Sequence, residues 1–278
     1  MAAIVAACGR VHAWSGCILY SRAMHSSSPV RPGEAEAASL EALQQLRHSG
    51  RIRAISIDLD DTLWPIWPTI ARAEAVLLDW LGEHAQSTAA YLGDTDRVRA
   101  LRHEINALRP DLAGDPASLR RESIRLALTR ADEDTALAEP AFEVFMAERQ
   151  RVQLYDDALP ALEFLARRWP VVALSNGNAD VQIIGIGRHF QAALSAAGSG
   201  MAKPDARFFR AAAEAVGVAP EHVLHIGDDA ELDAKGAMDA GMHAVWLNRG
   251  QLAWPCVGTE PHVTVASLWQ LCQGLADR

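Results

Sequence analysis

The chain has 278 residues, 50% of them hydrophobic and 22% charged, which is enough for one large buried core or a core with a smaller inserted domain. Its formal charge of −9 excludes the basic footprint with which a protein grips a nucleic-acid backbone, so an anionic substrate must be met by a few locally placed cations. Cys8, Cys17, Cys256 and Cys272 have neither CxxC spacing nor a neighbouring histidine pattern, which excludes a zinc or disulfide framework and makes a reducing, cytoplasmic setting the expectation.

Residues 1–33 carry Arg10, Arg22 and Arg31 but no acid. Gly9, Arg10 and His12 interrupt their apolar run, so the segment has neither the core of a signal peptide nor the ~18 apolar residues of a membrane span. It reads as a disordered extension, or as an overlong start with Met24 as candidate initiator. After the Ser/Pro/Gly-rich stretch from Ser26 to Gly33, Leu40, Leu43 and Leu46 mark a short amphipathic helix. Residues 1–50 are therefore expected to form an N-terminal extension.

The run from Arg53 to Asp60 alternates β-branched residues and predicts the first strand. From Trp64 to Tyr155 the periodicity is helical: Ile70, Leu77 and Leu81, then Val98, Leu101, Ile105 and Leu108. Asp115-Pro116 reads as an N-cap with a first-turn proline, and Phe142, Phe145 and Met146 mark a further helix. Beyond Ala158 the pattern switches to short apolar runs (171–174, 192–194, 223–226, 244–247, 263–265) separated by helical stretches such as 207–216 and closed by a helix over 268–275. Such alternation predicts an α/β fold, a Rossmann-like parallel sheet covered on both faces. The expected domains are a core of 51–63 and 156–278 and an all-helical insertion of 64–155.

In open parallel sheets the site lies beyond the carboxyl ends of the strands. Four such ends are polar here: Asp58-Leu-Asp60-Asp61-Thr62, Ser175-Asn176-Gly177, Lys203-Pro204 opening a helix, and Gly227-Asp228-Asp229. Alternation along an extended segment points Asp58 and Asp60 the same way. Two carboxylates in one volume call for a hard divalent cation, with Asp228 as a third acid; without accompanying His or Cys, Mg²⁺ fits better than zinc. Ser-Asn-Gly is also ordinary turn chemistry. As function, the Ser175 hydroxyl and the backbone N–H groups of Asn176 and Gly177 cradle phosphoryl oxygens. Lys203, at a helix start where the dipole gives a cation no reward, favours an anionic partner. Asp229 and Asp233 read either as first-turn acids or, for Asp233, as the holder of Lys203 or of a metal-bound water.

Taken in order, Asp58-Leu-Asp-Asp-Thr62, Ser175, Lys203-Pro204 and Gly227-Asp-Asp-Ala-Glu-Leu-Asp233 resemble the four motifs of the haloacid dehalogenase (HAD) superfamily, and the helical insertion resembles its C1 cap. Arg168 to Asn178, Gly185-Ile-Gly187 before His189-Phe190, and His225 to Asp229 resemble the bacterial phosphatases acting on FMN and on 5-amino-6-(5-phospho-D-ribitylamino)uracil, implying a ribityl-phosphate substrate and riboflavin metabolism. The resemblance implies Asp58 as nucleophile, Asp60 as acid and base, Mg²⁺ held by Asp58, the Asp60 carbonyl and Asp228, phosphate held by Ser175 and Lys203, and Thr62 orienting the loop. It also weighs the rivals. Dehalogenases of the superfamily lack the acid kept here as Asp60, and phosphonate hydrolases need a cap lysine where residues 64–155 contain none. A phosphosugar mutase differs only in a longer-lived phosphoenzyme. The different-class alternatives are a phospho-receiver module, whose motif order differs, and a catalytically idle binding protein. Trp64, Trp67 and Trp80 are candidates for stacking on a flavin or pyrimidine ring, with core packing the expected fate of Trp80.

Overall fold

A computed structural model describes residues 32–112 and 115–276, and side chains from residue 37 onward. Readings that fall on residues 1–31, Met24 among them, lie outside the described residues. The described chain divides into two compact units, residues 66–151 and residues 32–65 with 152–276.

The larger unit is built on six parallel strands: β1 (Ala54–Ile57), β2 (Val171–Ser175), β3 (Ala192–Ser195), β4 (Val223–Gly227), β5 (His243–Leu247) and β6 (Val263–Val265), in the order β3-β2-β1-β4-β5-β6. The alternation predicted from the apolar runs sends Ile55, Ile57, Val171 and Ala173 into one layer and Ala54, Val172 and Leu174 into the other. The first layer is completed by α1 (Pro32–His48), α7 (Ala158–Ala166) and α12 (Leu268–Leu275), through Leu43, Leu162, Leu165, Leu271 and Leu275. The second is completed by α10 (Ala206–Ala215), with Phe208 and Phe209, and by α11 (Gly236–Asp239). Two single-turn helices, α8 (Val181–Ile184) and α9 (Ala196–Ser199), flank β3 in sequence.

Helix α1 does not stand apart from the core as an extension. Leu43 is fully buried, a β-carbon at Gly274 of α12 would lie 2.5 Å from it, and Arg47 donates to the Ala276 carbonyl at 2.9 Å. The absence of a side chain at Gly274 is what lets the two helices meet.

The helical unit contains α2 (Ile66–His84), α3 (Gln86–Leu92), α4 (Thr95–Leu108), α5 (Pro116–Arg130) and α6 (Ala138–Arg149). Their stripes converge on Leu77, Leu81, Leu101, Ile124, Phe142 and Phe145. Asp115 accepts from the N–H groups of Ala117 and Ser118, with Pro116 in the first turn. Two expectations change here. Leu108, counted on the α4 stripe, is 60% exposed because the helix ends there, and α3 has too short a period to be read; its start is capped by Glu133, which accepts from the N–H groups of Ser87 and Thr88. Trp80 is half-buried against this core and stacks on His84 at 4.1 Å. Glu74 and Arg120 form a buried ion pair at 3.1 Å.

The break between the units falls a few residues inside the expected 64 and 155. Trp64 is fully buried in the core of the larger unit, and the Tyr155 N–H donates to the Leu63 carbonyl at 2.9 Å. Among the described residues no helix is long and apolar enough to cross a membrane.

Candidate active site

From β1 the chain passes to β2 and β3 on one side and to β4, β5 and β6 on the other. The carboxyl ends of β1 and β4 therefore flank the switch point at which open α/β sheets bind ligands. Ile57 pairs with Ile226, and the Asp58 N–H donates to the Ile226 carbonyl at 2.9 Å, which fixes Asp58 opposite the Gly227-Asp228 turn.

Oxygen atoms of Asp58, Asp228 and Asp233 lie within 4.8 Å of one another. This is not the pair that alternation joins. The strand stops at Ile57, Leu63 N–H turns back to the Leu59 carbonyl at 2.8 Å, and Asp61 takes a left-handed φ of 58°. That turn directs the Asp60 carboxylate to the indole N–H of Trp64, which donates to it at 2.8 Å. With its body buried and its N–H engaged in this way, Trp64 is a support for Asp60 rather than a stacking surface. Trp67, by contrast, is 43% exposed within the helical unit.

Lys203 lies buried between two of the acids, its Nζ 2.5 Å from Asp58 and 2.5 Å from Asp233. Asp233 is the hub. Its Oδ1 also accepts from His225 at 3.2 Å and its Oδ2 from the Asp229 N–H at 3.1 Å. Gly227 makes this possible, because a β-carbon there would lie 2.2 Å from Cγ of Asp233. Burial alone would raise Asp233, but Lys203 and His225 outweigh it and hold the carboxyl at about 2. Burial would likewise lower Lys203, and Asp233 and Asp58 hold it above its ordinary value. In the other two acids burial wins: it pushes Asp58 up to about 7 against the pull of Lys203, and with the charges of Asp58 and Asp233 it pushes Asp228 up to about 9.

Those shifts test the fit of a cation. Two carboxylates forced together in a desolvated corner, with the lysine already shared, gain most from a divalent ion, and a donor set of oxygen without sulfur or nitrogen suits Mg²⁺. Asp233 fits that role poorly because both of its oxygens are engaged. It is the counterion of Lys203, one of the two duties its position suggests.

The remaining predicted residues fall at the same end of the sheet. Thr62 is buried and donates to Asp228 at 3.2 Å. The Ser175 hydroxyl oxygen accepts from the Gly177 N–H at 3.0 Å, so the turn reading is realised, and its own proton remains to be donated. Asp229 caps the π-helical turn Ala230–Lys235 by accepting from the N–H groups of Glu231 and Leu232, as a first-turn acid does. Lys203 does not open a helix: α10 begins at Ala206, because Asp205 caps it by accepting from the Arg207 N–H at 2.9 Å. Lys203 is therefore held by its two carboxylate partners and takes nothing from a helix start.

Three supporting groups go beyond the roles predicted. The Asn176 amide, whose backbone alone was assigned, donates to the Lys203 carbonyl at 2.9 Å and accepts from its N–H at 2.7 Å, holding the lysine segment against the end of β2. His225, quoted only for its resemblance, sits fully buried between Ser56 Oγ at 3.0 Å and Asp233. Arg249, at the polar end of β5, grips Asp157 with two bonds of 3.0 and 2.8 Å and donates to the Thr62 carbonyl at 3.1 Å. The strand-end rule applied to β5 would have found it.

A family model for haloacid dehalogenase-like hydrolases matches residues 52–241, and the chain belongs to that family. It is 33% identical over 205 residues, 72% of this chain and 85% of the other, to the 5-amino-6-(5-phospho-D-ribitylamino)uracil phosphatase YigB of Escherichia coli. It is 39% identical over 145 residues to a phosphoserine phosphatase of Thermus thermophilus, covering 50% of this chain and 58% of the other. Among solved structures, a 2-haloacid dehalogenase from Pseudomonas syringae superposes with a TM-score of 0.75 at 35% identity, covering 81% of this chain and 98% of the other. The fold class and the superfamily resemblance expected from the strand-end motifs are thus both met.

Proposed function

We propose that the chain is a Mg²⁺-dependent phosphomonoester hydrolase whose nucleophile is Asp58 and whose substrate is a small ribityl phosphate. The observation that carries the reading is the Asp58–Lys203–Asp233 arrangement at the switch point, with Asp228 beside it: two acids share a single lysine and a third has none, which leaves the cluster in want of a cation. Asp58 and Asp228, with the Asp60 carbonyl, would hold the ion, which when bound supplies charge neutralisation for the transferring phosphoryl oxygens.

The chain's own groups account for the rest. Asp58, oriented by Lys203, bonds to phosphorus as the ester P–O bond breaks. Lys203 and the Ser175 hydroxyl hold phosphoryl oxygens. Asp60 gives its proton to the departing alkoxide, then takes one from the water that attacks phosphorus, so that Asp58 is freed and inorganic phosphate leaves. Trp64 fixes the carboxyl that performs both transfers.

The ribityl preference rests on the similarity to the E. coli enzyme across most of both chains. A dehalogenase reading draws on the P. syringae structure. Chemistry disfavours it, since halide leaves without a proton and would give Asp60 nothing to do. A phosphate-release screen over FMN, the ribitylaminouracil phosphate, phosphoserine and sugar phosphates, with halide release from 2-chloropropionate alongside, separates the readings. The expected result is Mg²⁺-dependent phosphate release, fastest on a ribityl phosphate. Halide release without phosphate release would reject the proposal.

A further inference from the structure

At the opposite end of β2 from Ser175, the turn that leads out of α7 and the turn Gly187–His189 that leads into β3 frame an open cavity of about 510 Å³. Val171 lines it and Ser175 lies four residues further along the strand, about 13 Å away at ~3.3 Å per residue. It therefore belongs to neither the acid cluster nor the lysine.

Its lining is unusual for so acidic a protein. Arg167, Arg168 and Arg188 line it with His189, Trp169 and Phe190, and no carboxylate residue is among the lining. Among the described residues none of the three guanidinium groups pairs with a carboxylate; Arg168 donates to the Phe164 carbonyl and lies 3.8 Å over the Phe164 ring. Elsewhere in the same unit Arg207 and Arg249 do hold carboxylates, and in the helical unit Arg109, Arg120, Arg121 and Arg130 do as well. Three unneutralised forks in one groove of a chain of charge −9 form a local positive field of the kind that draws in and holds an anion.

The second observation is independent of the arginines. His189 is only 9% exposed, and among the described residues its Nε2 is buried without a hydrogen-bond partner. A buried polar atom of this kind costs free energy until something meets it. The burial has a sequence cause: Ile186 and Val181 anchor the turn in the core while His189 N–H returns to the Ile186 carbonyl at 3.0 Å. Burial and Arg188 hold the imidazole below its usual range, against Glu163, so it meets a ligand as a neutral group.

We infer that this groove is a binding site for a nucleotide-sized polyanion, a nucleoside di- or triphosphate, with Arg167, Arg168 and Arg188 on phosphate oxygens and His189, whose Nε2 is shielded in the free protein, turned to meet a further polar atom. Guanidinium forks match phosphate oxygens in pairs, which favours a phosphate chain over a monocarboxylate. The volume lies within the ~300–1,000 Å³ of small-molecule sites and exceeds what inorganic phosphate fills.

The test is hydrogen–deuterium exchange on the full chain in EDTA with adenosine 5′-(β,γ-imido)triphosphate, tripolyphosphate and adenosine as separate probes. The first two are expected to slow exchange saturably across 166–171 and 188–191, and adenosine is expected to leave it unchanged. Arg188→Glu, at an exposed position outside the catalytic machinery, is expected to weaken binding at least about tenfold while phosphate release stays at the wild-type rate. Protection confined to 58–62, 203 and 228–233, no protection at millimolar probe, protection by adenosine alone, or unchanged affinity in Arg188→Glu would each overturn the inference. The wild-type measurement stands on its own if the variant fails to fold, and it does not depend on the phosphatase reading.

Discussion

Loading the acid cluster with Mg²⁺ must expel protons. In the metal-free protein burial and repulsion among the acids push Asp58 up to about 7 and Asp228 up to about 9. At pH 7 the pair therefore still carries between one and two protons, which must leave when both become ligands. At pH 10, above both values, the release should nearly vanish. Calorimetric titration of EDTA-treated protein with MgCl₂ in buffers of differing ionisation enthalpy reads the number directly, as the slope of observed against buffer enthalpy. Because only the ionised carboxylates bind, affinity should climb from pH 6 to about 9 and then level off. The stability of the metal-free fold has the opposite sign. Both folded-state pKa values lie above the ordinary carboxylate value, so the contribution is present below about 4 and is lost as pH rises through 7 and 9. The melting temperature in EDTA should fall over that window and recover on adding Mg²⁺. Tight Mg²⁺ binding at pH 7 with no proton release would refute the electrostatic account of the cluster.

Gly227→Ala should lower stability by about 1–3 kcal/mol and turnover at least about tenfold, since its β-carbon displaces Asp233 from Lys203; urea denaturation and steady-state kinetics read the two effects. His225→Leu removes one hydrogen bond to Asp233 and leaves the Ser56 hydroxyl without its ring partner. It should cost about 1–3 kcal/mol in kcat with KM little changed, and His225→Gln should recover part of the loss. In the helical unit, burial pushes Glu74 up to about 7 and Arg120 down to about 10 even as they pair. Glu74→Ala should therefore destabilise by about 3 kcal/mol by stranding the arginine, whereas Glu74→Leu with Arg120→Met should be near neutral in thermal melts.

The parallel sheet was legible because each strand announces itself as an apolar run closed by polar residues, and the acids, Ser175 and Lys203 stand at those closures. The helical insertion was legible from its 3.6-residue stripes. What escaped depends on contacts between distant segments. The pairing of Lys203 with Asp233 was among the readings of the sequence, but that the same lysine also meets Asp58 requires the end of β4 to lie beside the end of β1, which sequence spacing does not encode. The turn of Asp60 toward Trp64 depends on the left-handed Asp61, a conformation that most residue patterns do not reveal. Helix α1 was separated from the core by the Ser/Pro/Gly composition just before it, whereas its place follows from Leu43 meeting a glycine more than two hundred residues away. Asn176 was read for its backbone because Ser-Asn-Gly is a turn, and its side-chain grip on Lys203 appears only when β2 and the lysine segment are brought together.

The covalent role proposed for Asp58 admits a direct measurement. Protein mixed with Mg²⁺ and a phosphomonoester that it hydrolyses is quenched in acid and reduced with borohydride, which converts an aspartyl phosphate to homoserine, and the peptide spanning residue 58 is sequenced by mass spectrometry. The account predicts homoserine at position 58 in wild type and none in Asp58→Asn protein, which should also release no phosphate. Unmodified aspartate at 58 under conditions that trap another residue, or full turnover by the Asp58→Asn protein, would contradict it.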